Sequence, residues 1–111
     1  MKNDDSLYLY HIRDSIKLIK EYTSKVEKSE FLNNSMMQDA VIRQLEIIGE
    51  ASNKVSENTK SKLNIIPWKD IIGMRNILIH QYFGVDIESV WSTIQNDIEP
   101  MLNAIITFID K

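Results

Sequence analysis

Apolar residues recur along this chain at steps of three and four, and in the first two such stripes they do not alternate as a half-buried strand would. Leu9, Ile12, Ile16, Ile19 and Val26 form one such stripe, which predicts a helix from about Asp4 to Lys28. Met37, Val41, Leu45, Ile48 and Val55 form a second, predicting a helix from about Asn34 to Glu57. From Asn58 to Ile66 the pattern gives way to Thr, Lys, Ser and Asn, which reads as a loop. A third helix is expected to open near Pro67, since a first-turn proline lacks only an N–H that would be unpaired there. Trp68, Ile71, Ile72, Leu78, Ile79 and Tyr82 give it an apolar face, and Gly84 suits a left-handed cap at its end. Asp86 is placed to cap a fourth helix through Val90, Trp91, Ile94 and Ile98. Pro100 should break that helix, with a kink or fresh start near Glu99 before the pattern runs on to Ile109.

The expected fold is therefore all-α: four main helices in an antiparallel up-and-down bundle, forming one domain over residues 1–111. Three Gly and two Pro in 111 residues fit long helices better than many short strands. Ile71, Ile72, Ile77, Leu78 and Ile79 spread over more than one face of the third helix, and a helix so patterned must bury more than one face. In a bundle this small, that predicts a homodimer. Cysteine is absent, so neither disulfides nor thiolate metal sites enter. No run approaches the roughly 20 apolar residues that span a bilayer, and the polar start Met1–Asp5 does not lead into a signal sequence. A soluble cytoplasmic protein without a membrane partner is expected. The net charge of −3 argues against a broad basic face for coating nucleic acid, though not against a local grip on a few phosphates.

Only two histidines are present, His11 and His80. His11 reads as a surface residue of the first helix. His80 lies in Arg75-Asn76-Ile77-Leu78-Ile79-His80-Gln81-Tyr82, where polar groups concentrate on an otherwise apolar helix. Such groups cost free energy unless paired or turned toward a cavity. A plainer reading stands beside this one: capping and surface contacts near a helix end, where a cation is favourable in its own right. On one straight helix Arg75 and Tyr82 are about 20° apart, while His80 is about 140° from Arg75 and about 40° from Asn76. The three converge only if the helix end unwinds, the arginine reaches around, or a second copy faces the first.

The pattern Arg75, four residues, His80, one residue, Tyr82 resembles the signature of the HEPN superfamily. Its setting resembles the HepT-like group of that superfamily: Ile42-Arg43-Gln44-Leu45-Glu46-Ile47-Ile48-Gly49-Glu50-Ala51, Ile66-Pro67-Trp68, the stretch from Gly73 through Val85, Trp91, and Asp97-Ile98-Glu99-Pro100. That resemblance implies a helical dimer with two motifs facing across a cleft, and metal-independent ribonuclease activity needing no cofactor. It also implies the toxin of a type VII-like toxin–antitoxin pair. The partner would be a small nucleotidyltransferase of the MntA type that silences the toxin by transferring AMP to Tyr82.

The chemistry of the residues agrees with those implications. The motif segment has no carboxylate to hold Mg²⁺. His80 suits a general base toward an RNA 2′-hydroxyl, since its ordinary pKa lies near neutrality. Arg75 suits the charge growing on a phosphate, and Asn76 the orientation of that phosphate or of a histidine nitrogen. Arg43 and Glu50, seven residues apart on one helix face, are supporting candidates, with Glu50 placed to pair with Arg75; a solvated polar face is the alternative. Tyr82 equally suits a half-buried aromatic. Trp68 and Trp91 read as core, and the Lys20/Lys25/Lys28 and Lys54/Lys60/Lys62 groups as surface. A non-catalytic module that binds a nucleotide or docks a nucleotidyltransferase is the competing function.

Overall fold

A computed structural model of the chain describes residues 5–80 and 85–110, with His80 described by its backbone alone. Every element among them is helical: α1 (Asp5–Tyr22), α2 (Lys28–Leu32), α3 (Ser35–Lys54), α4 (Glu57–Lys62), α5 (Trp68–His80), α6 (Ile87–Asn96) and α7 (Ile98–Ile109). The all-α expectation holds: α1, α3, α5 and the pair α6–α7 lie in the four predicted segments, and the short α2 and α4 lie between them.

Three departures stand out. The first helix ends at Tyr22, short of the expected Lys28. There the Thr23 hydroxyl donates to the Ile19 carbonyl at 2.8 Å, and Lys25 takes a left-handed backbone with φ 62°. A β-carbon in that region costs about 1 kcal/mol or more. The turn swings α2 across so that Phe31 is fully buried, its ring 5.2 Å from that of Trp91. All but the first residue of α4 falls in the segment read as a loop; the helix is capped by Ser56, whose hydroxyl accepts from the Thr59 N–H at 3.2 Å. The fourth predicted helix is two, divided at Asp97. Pro100 sits in the first turn of α7, where its missing N–H costs no helical bond.

The caps read from the sequence include one that is realised in full. The Asp86 carboxylate accepts from the backbone N–H groups of Glu88 and Ser89 and from the Ser89 hydroxyl. The Ser89 hydroxyl and N–H, outweighing a small desolvation, hold the Asp86 carboxyl below its ordinary range.

Helix α1 packs against α3 and α7, and α6 against α7. Their shared core is the predicted stripe: Ile12, Ile16, Ile19, Val41 and Ile105 are wholly buried. Each such side chain contributes about 1.5–3 kcal/mol of burial. Trp68 is buried too, its indole N–H donating to the Leu63 carbonyl at 3.1 Å. Helix α1 runs antiparallel to both α3 and α7: Asp5 at its start meets Ser56 just past α3, and Lys20 near its end pairs with Glu99 at the start of α7. Helix α5 is the outlier, because its principal packing partner is α3. Ile77 of α5 remains half exposed, and Ile71, Ile72 and Ile79 are incompletely buried. Among the described residues, no helix is long and apolar enough to cross a membrane.

Candidate active site

Arg75 belongs to α5, but its surroundings are built by α3. Gly49 faces it from α3: a β-carbon placed there would lie 2.2 Å from the Arg75 Cβ and 2.7 Å from its Cγ. The two helices are in backbone-close contact at this point, and the arginine stem lies across the glycine. Glu50, the next residue of α3, brings its carboxylate to 3.5 Å from Nη2 of Arg75. Nη1 donates to the side-chain oxygen of Asn76 at 3.0 Å. Nε is buried and has no hydrogen-bond partner among the described residues. The Glu50 side chain is 57% exposed and that of Arg75 27%. Such a pair in reach of water adds little stability. Its consequence is geometric: a cation is held at a stated place with its head near the surface.

The other candidates are distributed around this seam. Asn76 is exposed and in contact with Arg75. Arg43 lies two turns before Glu50 on the same helix face and pairs instead with Glu46, at 3.6 Å. Arg43 and Glu46 border a groove of about 460 Å³ between α3 and α5, whose walls include Leu78 and Val85. His80 is the last residue of α5, and its side chain lies outside the described residues, as do Tyr82 and the expected cap Gly84. Helix α5 is continuous from Arg75 through His80, so no unwinding brings those two residues together. Arg75 does not reach around its helix either, but sideways to Glu50 and Asn76.

The chain matches known proteins along most of its length. Residues 12–108 match the profile of the family described as Ribonuclease HepT-like. A protein of Methanocaldococcus jannaschii, whose name pairs a gamma-glutamylcyclotransferase with a proposed RNase, is 41% identical over all of this chain. This chain spans half the length of that relative. A second protein of that organism, named as a proposed RNase, is 43% identical over 87% of this chain and 89% of its own. The Probable ribonuclease HepT of Thermococcus cleftensis is 44% identical over 88% of this chain and 89% of its own. No solved structure matches the chain. The chain belongs to the HepT-like ribonuclease family.

Within this HepT-like chain, sequence reasoning assigned no part to Gly49. A glycine in the middle of an otherwise good helix costs about 1 kcal/mol relative to alanine, and that cost was the available signal of a close approach. Lys60 also departs from the plain surface reading. Its side chain is 12% exposed, lies 5.9 Å over the Trp68 ring and pairs with Glu57 at 3.7 Å. It belongs to the corner where α4 meets α1, away from the Arg75 seam.

Proposed function

We propose that this protein is an RNA endonuclease in which Arg75 stabilises the phosphate, His80 acts as the base, and no metal ion takes part. The observation that carries the reading is the held guanidinium of Arg75, five residues before the single histidine of its helix, in a HepT-like chain. His80 removes the proton from an RNA 2′-hydroxyl, that oxygen attacks the adjacent phosphorus, and the 5′-oxygen leaves with a proton returned to it. The products are a 2′,3′-cyclic phosphate and a 5′-hydroxyl. DNA, lacking the 2′-hydroxyl, is not cut. The charge that builds on the phosphate is met by Arg75, and Asn76 supports its orientation.

The continuous helix leaves Arg75 and His80 on different faces, so the composite site is proposed to form between two copies across a cleft. The incompletely buried isoleucines of α5 supply an apolar contact for such a dimer. Glu50 keeps Arg75 in register, and Arg43, at the border of the neighbouring groove, meets the phosphate backbone beyond it. In the cell the protein acts as the toxin of a pair whose partner is a nucleotidyltransferase. The Tyr82 hydroxyl attacks the α-phosphorus of ATP, pyrophosphate leaves, and the resulting AMP ester occupies the site with one negative charge opposite Arg75.

The test is incubation of the purified protein with total RNA in EDTA, beside Arg75→Ala and His80→Ala. Cleavage by the wild type alone, with cyclic-phosphate ends, is the expected result. Activity lost in EDTA and restored by Mg²⁺, or retained by His80→Ala, overturns the mechanism. Co-expression with the partner should add AMP to Tyr82 by intact mass and peptide mapping, and Tyr82→Phe should abolish that addition.

A further inference from the structure

We propose that Gly49 is the positioning residue for Arg75, and that it determines which edge of the guanidinium meets the phosphate. The inference rests on the reading of Arg75 as the phosphate ligand and adds how the fold aims it. The clash that a side chain at position 49 would create is with Cβ and Cγ of Arg75, at 2.2 and 2.7 Å, and with the Ile71 carbonyl at 3.3 Å. Non-bonded carbons sit at about 3.5–4.0 Å. A Cβ follows its backbone and a carbonyl is backbone, so neither swings aside as the tip of a long side chain would. Relief requires α5 to move away from α3 as a body. Gly73, on the same helix as Arg75, is the opposite case: a β-carbon there meets nothing within 4 Å.

The close approach has a chemical consequence. With its stem laid across Gly49, Arg75 has Nε buried and, among the described residues, without a hydrogen-bond partner. The side-on fork made by Nε and one η nitrogen is withheld. What the arginine presents is its end. Nη1 is oriented by Asn76 at 3.0 Å and Nη2 by Glu50 at 3.5 Å, and each η nitrogen carries a second N–H. The phosphate is therefore gripped end-on, through Nη1 and Nη2 together. A move of α5 away from Gly49 would displace the guanidinium from Glu50 and open Nε to water. A misplacement of about 1 Å in such a contact costs about 100-fold in rate.

Two measurements on the full-length protein test this. In the first, Gly49→Ala is expected to fold and to lose about 100-fold in RNA cleavage, mostly in kcat, while Gly73→Ala keeps both kcat and KM. In the second, which needs no change at position 49, the Nε–H resonances of the three arginines are followed by NMR, with Arg75 assigned from its loss in Arg75→Lys. The Arg75 Nε–H should exchange with water far more slowly than that of the exposed Arg43. In Gly49→Ala that protection should vanish. Wild-type kcat in Gly49→Ala, or exchange at Arg75 as fast as at Arg43, overturns the proposal. If Gly49→Ala does not fold, exchange in the wild type decides alone. A wild-type protein that leaves RNA uncut removes the ribonuclease reading, whereas protection of Nε is read without RNA and bears only on the positioning.

Discussion

Two polar clusters in this protein are built to opposite ends. At the corner where α1 meets α4, Asp5 is buried, and its carboxylate accepts from the Ser56 N–H at 3.1 Å and from the hydroxyls of Ser56 and Thr59. Burial by itself raises the Asp5 pKa. The two hydroxyls, the Ser56 N–H and the charge of Lys60 outweigh it and hold the carboxyl below its ordinary value. At the α3–α5 seam the Arg75 head stays in reach of water, its Nε has no hydrogen-bond partner among the described residues, and the opposing carboxylate is more than half exposed. A charge enclosed by donors from residues more than fifty positions away staples the chain. A charge held by its stem, with its head near the surface, remains available to a ligand. The two clusters differ in what they leave unsatisfied, and that difference separates a structural polar group from a candidate site.

Variants at the two clusters should therefore fail in different assays. The largest effect is expected from Arg75→Ala, with RNA cleavage reduced by about 10²–10³-fold. Urea unfolding of the same variant should show a loss of no more than about 1–2 kcal/mol, because the ion pair is in reach of water and only the packing of the arginine stem is removed with it. A loss of several kcal/mol there would make the seam a staple like the other corner. Asp5→Ala should invert the pattern, costing about 2–3 kcal/mol because buried donors lose their acceptor, while the folded fraction keeps wild-type kcat.

The acid limb of stability belongs to the same corner. The folded-state pKa of Asp5 lies below its ordinary value of 3.8, so its contribution is complete above that pH. It is lost as pH falls through the lowered folded value. Comparing wild type with Asp5→Ala across this range should show the difference in stability shrinking toward low pH. A constant difference would mean that the carboxylate charge is not what the corner uses.

Glu50→Gln tests the milder half of the seam. It keeps the shape but removes the charge opposite Nη2, and is expected to lower cleavage about tenfold, the rate equivalent of a lost charge-assisted bond. No change in rate would reduce Glu50 to a solvated surface residue. The smallest effect expected is a gain: Gly73→Ala, in open space within a helix, should stabilise by about 0.5–1 kcal/mol in urea or thermal unfolding.

By itself the sequence determined the helical class, the buried stripe from Leu9 to Ile19, the Asp86 cap and the break before Pro100. Each depends on residues within one or two turns of one another. Glu50 is a candidate partner of Arg75 in the sequence, beside the alternative of a solvated polar face, and its carboxylate lies 3.5 Å from Nη2. Tertiary structure decided the rest. Helix α1 stops at Tyr22 because the chain must carry Phe31 to Trp91, sixty positions on, and helical periodicity through Val26 holds no trace of that requirement. Residues 57–62 are helical although polar, because Ser56 and Thr59 answer a carboxylate from the start of the chain. Gly49 acquired its meaning only when α5 was laid against α3. A missing side chain has no chemistry that a one-dimensional pattern can display, and its effect is a distance between two helices.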